Sequence, residues 1–249
     1  MSKKLWYLKQ CRLFERLPPH ELDRLEVVAK SREFAPRSPI YLPADEADAV
    51  LLLAQGRAKI CSITGEGKQA ILAFIDPGEV FGELAVLSDA PREEYAEAID
   101  DSTVVLIPRG EMQRLMEDYG HLALSVTKLI GFRRRTVERR LKSLLFRSNR
   151  ERLCHLLLEL AEQYGRPAAE GLLLDIRLSH QDLASVIGST RETVTVVLGE
   201  LQNEQKLKLG RRRITITDVK ALAASVQHGH IGDKEGQLGY KLSRKIASV

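Results

Sequence analysis

Short runs of valine, isoleucine and leucine, separated by glycine and proline, make up most of the first hundred residues. The clearest stretch is 49–83, AVLLLAQGRAKICSITGEGKQAILAFIDPGEVFGE, and helical periodicity precedes it in LFERLPPHELDRLEVVAK, residues 13–30. Its turn residues are Gly56, Gly65, Gly67, Pro77, Gly78 and Gly82. Short strands at regular spacing with such turns are typical of a β-sandwich or barrel. The pattern therefore predicts an N-terminal β-domain that begins with a helical cap.

From Gly110 to Gly165 the apolar period changes to that of a helix and scarcely breaks. Within this segment one set of positions is spaced alternately by four and three residues: Ala123, Thr127, Ile130, Arg134, Val137, Leu141 and Leu144. Such spacing is a heptad seam, which predicts a two-stranded coiled coil and hence a homodimer. The alternative is that the stripe packs on its own domain, although the arginines around the helix leave little else apolar to bury.

The segment 178–207, LSHQDLASVIGSTRETVTVVLGELQNEQKL, has the layout of a helix, a glycine turn and a second helix. Ser179 and Asp182 have the spacing of a capping box, Gly188 permits a tight turn, and the second helix is expected to begin near Thr190. The apolar faces are supplied by Leu183, Ala184, Ile187, Val194, Val197, Leu198 and Leu201. This pattern predicts a helix-turn-helix whose second helix reads DNA bases with its first turns.

An alternating segment, KLKLGRRRITITD, follows and predicts a two-stranded hairpin with a basic tip. Arginine can bind a guanine edge, glutamate can accept from cytosine N4, and a basic wing would contact phosphates. The candidate DNA-binding residues are Ser179, His180, Gln181, Ser189, Thr190, Arg191, Glu192, Thr193, Val196, Arg211, Arg212 and Arg213. The simpler interpretation of Arg191 and Glu192 is an ordinary first helical turn, in which the helix dipole favours the glutamate.

Charge is distributed unevenly along the 249 residues, whose net charge is +4. Residues 1–127 hold 15 Lys/Arg and 21 Asp/Glu, a net −6, whereas residues 128–249 hold 23 and 13, a net +10. An acidic half joined to a basic half favours a sensor attached to a domain that touches a polyanion, although chance surface charge is the alternative.

Cysteine usage and the absence of some motifs exclude several other classes. Three distant cysteines, Cys11, Cys61 and Cys154, argue against a disulfide framework and for a reducing cytoplasm. The sequence has no zinc-ligand spacing, no apolar run long enough for a signal peptide or a membrane span, and no nucleophile–base set in a catalytic context. We therefore expect no enzyme activity, no metal and no membrane association.

The stretch FGELAVLSDAPREEYAEA, residues 81–98, combines a glycine turn with one arginine, Arg92. Backbone N–H groups in a turn together with an arginine are how proteins hold phosphate. Glu93 and Glu94 follow directly, and a carboxylate opposes an anion: at an effective dielectric near 20, like charges about 4 Å apart cost on the order of 4 kcal/mol.

Taken together, FGELA…PR and RETV resemble the cyclic-AMP receptor protein/FNR (Crp/Fnr) family of bacterial transcription regulators over about residues 8–225. The resemblance implies an α+β fold: a β-roll (a jelly-roll of the cyclic-nucleotide-binding type), a long dimerisation helix and a C-terminal winged helix-turn-helix. We place the β-roll at 1–118, the dimerisation helix at 119–147, the winged domain at 148–228 and a flexible tail at 229–249.

The resemblance also implies roles for individual residues. Glu83 would hold a ribose hydroxyl, Arg92 the cyclic phosphate, and the helix positions near Val137 and Glu138 would touch adenine. The full effector set is Gly82, Glu83, Leu84, Arg92, Glu93, Val137 and Glu138. Cyclic-AMP binders usually have serine or threonine where this chain has Glu93, and neither helix position carries a hydroxyl. Cyclic AMP, another nucleotide, 2-oxoglutarate (because GSTRETVTVV is similar to cyanobacterial nitrogen regulators) or no effector all stay open, the last with Glu93 paired to Arg92.

The expected partners are palindromic double-stranded DNA, a second copy of the chain, and RNA polymerase. Where the family has a second base-reading arginine, this chain has Val196, so one base position should be read loosely. The alternative function is a cyclic-nucleotide-binding module whose C-terminal helices contact protein instead of DNA. A protein-binding module would have no need of a basic wing beside a polar helix start.

Overall fold

The computed structural model describes residues 2–227, and the chain divides into two compact units with a boundary after Glu138. The first unit begins with two helices and eight strands: α1 (Lys3–Gln10), α2 (Pro19–Val28), β1 (Lys30–Phe34), β2 (Pro39–Tyr41), β3 (Ala49–Gln55), β4 (Ala58–Ile63), β5 (Gln69–Ile75), β6 (Val80–Phe81), β7 (Tyr95–Ala98) and β8 (Ser102–Pro108). It ends with α3 (Arg109–Asp118) and most of α4 (Gly120–Phe146).

The eight strands form two antiparallel four-stranded sheets, in the orders β1-β8-β3-β6 and β2-β7-β4-β5. β3 explains why the sequence AVLLLA is apolar throughout rather than alternating. Leu51 and Leu53 point into the core between the sheets, whereas Val50 and Leu52 join a second core beneath the helices. Because successive strand residues face opposite sides, a strand covered on both faces must be apolar at every position. The predicted β-domain is confirmed, and its helices cover one sheet.

Helix α4 packs its first half on the β-domain through Leu122 and Val126, with Leu129 and Ile130 partly buried against the same core. Ile130 was predicted as a member of the dimer seam, but it contacts its own domain because it lies beside this buried stripe. Further along the helix the seam residues Val137 and Leu141 are exposed. The domain-packing alternative therefore holds for the first half of α4 and leaves Val137 and Leu141 exposed.

The second unit contains the rest of α4, followed by α5 (Asn149–Tyr164), β9 (Gly165–Ala168), β10 (Gly171–Leu174), α6 (His180–Ile187), α7 (Arg191–Asn203), β11 (Leu207–Gly210), β12 (Arg213–Ile216) and α8 (Val219–Gln227). Its sheet has the order β11-β12-β10-β9, so the predicted hairpin β11–β12 is joined by a second hairpin, β9–β10. The sequence pattern did not indicate that second hairpin.

The α+β class and its arrangement of β-roll, long helix and winged helix-turn-helix are confirmed. The predicted domain limits stay predictions. The two compact units meet after Glu138, inside α4, rather than at either end of that helix. The tail predicted at 229–249 lies outside the described residues. Among the helices of residues 2–227, none has the length and apolar character needed to cross a membrane.

Candidate DNA-reading surface and effector site

Arg92 is held at the glycine turn of the β-roll. Gly82 adopts the left-handed conformation (φ 64°), and a Cβ placed there would lie 2.7 Å from Arg92 Nη1. Arg92 Nη2 donates to the carbonyl of Ala49 at 2.6 Å, and its backbone exchanges hydrogen bonds with Ala44 and Asp45. The left-handed backbone at this position favours glycine, and the missing side chain leaves room for the Arg92 guanidinium beside the turn.

Tyr41 and Glu94 complete the surroundings of Arg92. The guanidinium lies 4.2 Å from the centroid of the Tyr41 ring, and the Tyr41 hydroxyl donates to Glu94 Oε1 at 2.9 Å. Burial raises the pKa of the Glu94 carboxyl and the Glu83 carboxylate adds to the rise, whereas the Tyr41 hydrogen bond, Arg133 and Arg92 act in the opposite direction. An anion bound at Arg92 would raise the pKa of Glu94 further.

Glu83 is buried and forms an ion pair with Arg133 of α4, and Arg133 Nη2 also donates to the carbonyl of Val80 at 2.7 Å. The carboxylate that the family resemblance assigns to a ribose hydroxyl is therefore engaged by a cation of the same chain. The pair ties the glycine turn to the long helix.

The other predicted effector residues lie at the edge of this cluster or outside it. Glu93 is exposed, and no ion pair joins it to Arg92 among the described residues, so the pairing left open by the sequence is not formed. The carboxylate inside the site is Glu94. Leu84 and Val137 are exposed, and Glu138 pairs with Arg134 one helical turn away at 2.8 Å.

The helix-turn-helix is built as its sequence predicts. Ser179 accepts from the backbone N–H of Asp182 while the Asp182 carboxylate accepts from the Ser179 N–H, which completes the capping box of α6. Gly188 ends α6 in the left-handed conformation (φ 63°), and Thr190 caps α7. All seven predicted apolar residues of the two helices are buried. Both helix starts and the turn are thus fixed by local hydrogen bonds.

The start of α7 presents Arg191, Glu192 and Val196 to solvent, and Val196 is 61% exposed. By contrast the hydroxyls of Thr190 and Thr193 lie 3.0 Å apart, and Thr190 Oγ1 also accepts from the Thr193 N–H as the helix cap. Of these predicted base-reading residues, the threonines therefore have structural partners, whereas the side chains of the other three have none within residues 2–227.

Of three further predicted residues, His180 and Gln181 lie at the start of α6 and Ser189 lies in the turn after it. His180 Nδ1 is 2.8 Å from the hydroxyl of Thr195, which in turn donates to the Arg191 carbonyl. Gln181 is exposed, whereas Ser189 is partly buried in the turn. The His180–Thr195 contact brings the N-terminus of α6 against the first turns of α7, so both helix starts belong to one surface.

Sequence reasoning missed Tyr41, Glu94 and Arg133 as parts of the effector cluster. The sequence analysis treated Glu94 only as a charge that, like Glu93, opposes an anion. The signal it missed is that strand β7 begins at the next residue, Tyr95. Arg133 belongs to a run of three arginines, and only the rotation of α4 against its sheet decides which of them turns inward.

The exposed predicted residues Arg211, Arg212 and Arg213 form the tip of the β11–β12 hairpin as expected.

Comparison with known proteins agrees with this arrangement. Residues 31–119 match the family described as cyclic nucleotide-binding domain, and residues 151–225 match the Crp-like helix-turn-helix domain. The global nitrogen regulator of Synechococcus elongatus is 30% identical over 205 residues, covering 82% of this chain and 92% of the relative. The cyclic AMP receptor protein of Thermus thermophilus is 29% identical, covering 86% of this chain and 96% of the relative.

Among solved structures, FixK2 from Bradyrhizobium japonicum superposes with a TM-score of 0.69 at 25% identity, covering 79% of this chain and 96% of that one. Fold, reading helix and sensor domain together define a DNA-binding transcription regulator with an effector-binding domain. The chain belongs to the Crp/Fnr family.

Proposed function

We propose that the protein acts as a homodimer that binds an inverted-repeat DNA site and responds to a small anion bound at Arg92. The observation that carries the effector half of this proposal is the fixed position of the Arg92 guanidinium at the Gly82 turn, 2.6 Å from the Ala49 carbonyl. A guanidinium held by the backbone carbonyl of Ala49 and by the Tyr41 ring is preorganised for an anion.

The contacts around Arg92 favour a small anion over cyclic AMP. Glu83 is engaged by Arg133, and Glu138 is engaged by Arg134, so neither carboxylate is free for a ribose or a base. A phosphate or carboxylate group needs only Arg92 and the turn. Of the candidates that the sequence raised, 2-oxoglutarate therefore requires less rearrangement than a nucleotide.

Dimerisation through the second half of α4 is supported by exposed apolar side chains at heptad spacing. Val137 and Leu141 are 44% and 56% exposed. Leu144, the next seam position, is 45% exposed although it also lies against Gly188. Exposed leucines in such a row are typical of a seam between helices. RNA polymerase stays the expected further partner.

Calorimetry of the purified protein with cyclic AMP, cyclic GMP and 2-oxoglutarate tests the effector proposal. We expect 2-oxoglutarate to bind more tightly than either nucleotide, and Arg92→Ala to abolish its binding. Glu93→Ser should leave the affinity unchanged, because Glu93 is exposed. Binding that survives Arg92→Ala would mean that the anion site lies elsewhere.

A further inference from the structure

Two carboxylates belong to the effector cluster, and only one of them has a counter-charge beside it. Glu83 forms an ion pair with Arg133, whereas the side chain of Glu94 accepts from the Tyr41 hydroxyl at 2.9 Å. Within residues 2–227, no lysine or arginine lies at ion-pair distance from Glu94, which is partly buried. Its negative charge is therefore compensated only from further away, and water screens it incompletely.

The Tyr41 ring places Glu94 close to Arg92. Strands β2 and β7 pair with Tyr41 opposite Ala96, so Glu94, two residues before Ala96, is directed to the same face of the sheet. The ring carries the Arg92 guanidinium 4.2 Å from its centroid and the Glu94 carboxylate at its hydroxyl. Tyr41 is buried and stacks on Phe81 at 6.2 Å, which fixes the ring. An anion bound to Arg92 therefore lies near the Glu94 carboxylate.

Binding of an anion changes the charge around Glu94 in two ways. It neutralises Arg92, which otherwise favours the ionised carboxylate, and it adds a negative charge nearby. At an effective dielectric near 20, a like charge about 8 Å away weakens binding about thirtyfold. The other charged groups near Glu94 are Glu83 and Arg133, and these stay paired to each other. Burial already raises the pKa of the Glu94 carboxyl in the free protein.

We propose, building on the proposed anion site at Arg92, that the effector anion binds together with one proton, which passes from solvent to a carboxylate oxygen of Glu94. The neutral carboxyl removes the like charge and keeps an acceptor oxygen for the Tyr41 hydroxyl. Glu94 is then a specificity-determining residue of the effector site. It makes the regulator respond to the anion and to pH at one place.

The sign of the pH dependence follows from the number of protons held in each state. The complex holds one proton more than the free protein wherever pH lies between the pKa of Glu94 in the free protein and its higher pKa in the complex. In that window the affinity for the anion falls as pH rises, by up to about tenfold per pH unit.

Calorimetry of the full-length protein counts the proton directly. Binding is measured at one pH in two cationic buffers of different ionisation enthalpy, and then from about pH 5.5 to about pH 8. The probes are 2-oxoglutarate and inorganic sulfate, since carboxylates ionise near pH 4 and neither probe gains a proton in this range, whereas phosphate would do so near pH 6. We expect wild type to take up as much as one proton per site and to bind more weakly as pH rises.

Glu94→Gln keeps the shape of the side chain and an acceptor for Tyr41, so it should bind the anion without proton uptake and more tightly than wild type at neutral pH. Glu93→Gln is the matched control, because it removes the same charge from the exposed neighbour, and its proton uptake should equal that of wild type. Binding through Arg92 without proton uptake, or uptake that persists in Glu94→Gln, would overturn this proposal alone. Failure of both probes to bind, or binding that survives Arg92→Ala, would overturn the anion site and this proposal with it.

Discussion

Glu83 and Arg133 form an ion pair between the glycine turn of the β-roll and helix α4, with side chains only 6% and 18% exposed. Arg133 also donates to the Val80 carbonyl at 2.7 Å, so a single side chain holds two points of the turn. The glycine turn is thus in direct contact with the helix that carries the proposed dimer seam.

Breaking this pair should destabilise the β-roll strongly. Arg133→Ala leaves the buried Glu83 carboxylate without a partner, and removal of one member of a buried pair costs about 3–5 kcal/mol. The free energy of unfolding in urea measures the loss. The matched control is Arg135→Ala, two residues along the helix and exposed, which should change stability by less than about 0.5 kcal/mol. Equal effects of the two variants would show that the pair contributes nothing.

The carboxyl of Glu94 should make stability depend on pH. Its pKa is raised in the folded state above the ordinary value of 4.5, chiefly by burial. The folded protein therefore holds this proton more firmly than the unfolded chain, and the cost of ionising Glu94 grows as pH rises from 4.5 through the raised pKa. Glu94→Gln keeps an acceptor for Tyr41 and removes that cost.

We expect Glu94→Gln to be more stable than wild type at neutral pH, with the difference disappearing as pH falls toward 4.5. Thermal unfolding over a pH series measures this. Glu93→Gln, the exposed neighbour, should show no such trend. A constant difference across the series would mean that Glu94 does not titrate abnormally.

Dimerisation is best tested at Val137 and Leu141, because Ile130 packs on its own domain and its replacement would also harm the fold. Val137→Asp with Leu141→Asp should give monomers at micromolar concentration, since charges on a coiled-coil seam cannot be desolvated cheaply. Leu124→Asp is the control, an exposed leucine of the same helix outside the seam. Sedimentation that still finds a dimer in the double variant would disprove this seam.

Two glycines of the reading domain should respond oppositely to alanine. Gly188 has φ 63°, and a Cβ there would lie 2.6 Å from Leu144 Cδ2, so Gly188→Ala should destabilise by about 1–2 kcal/mol. Gly199 lies inside α7 with open space around it, so Gly199→Ala should stabilise by roughly 0.5–1 kcal/mol. Thermal unfolding checks both signs. A stabilised Gly188→Ala would mean that the turn is not held left-handed.

The elements with local signals were predictable from sequence. The capping box of Ser179, the turn at Gly188 and the apolar faces of α6 and α7 depend on residues close together in the chain. The effector cluster was only partly predictable, because Tyr41, Glu94 and Arg133 meet through the packing of two sheets and a helix.

The seam prediction shows a second limit. Heptad spacing marks apolar positions, but it does not tell whether the stripe faces another chain or the protein's own core. In α4 both occur, since Ile130 packs inward while Leu141 stays exposed. Leu144, also placed on the seam, lies against Gly188 in the turn before the reading helix.

Selection of binding sites from a random duplex pool tests the central claim, sequence-specific DNA recognition by a two-fold dimer, most directly. We predict an inverted repeat with half-site centres about one helical turn, roughly 34–36 Å, apart. Each half-site should hold one strongly preferred G·C pair read by Arg191 and Glu192, with about 1–3 kcal/mol of discrimination per contact, and a loosely read or A·T position facing Val196. A pool without enrichment, or a single asymmetric motif, would contradict the account. Two equally invariant G·C pairs per half-site would show that a residue other than Val196 reads the second position.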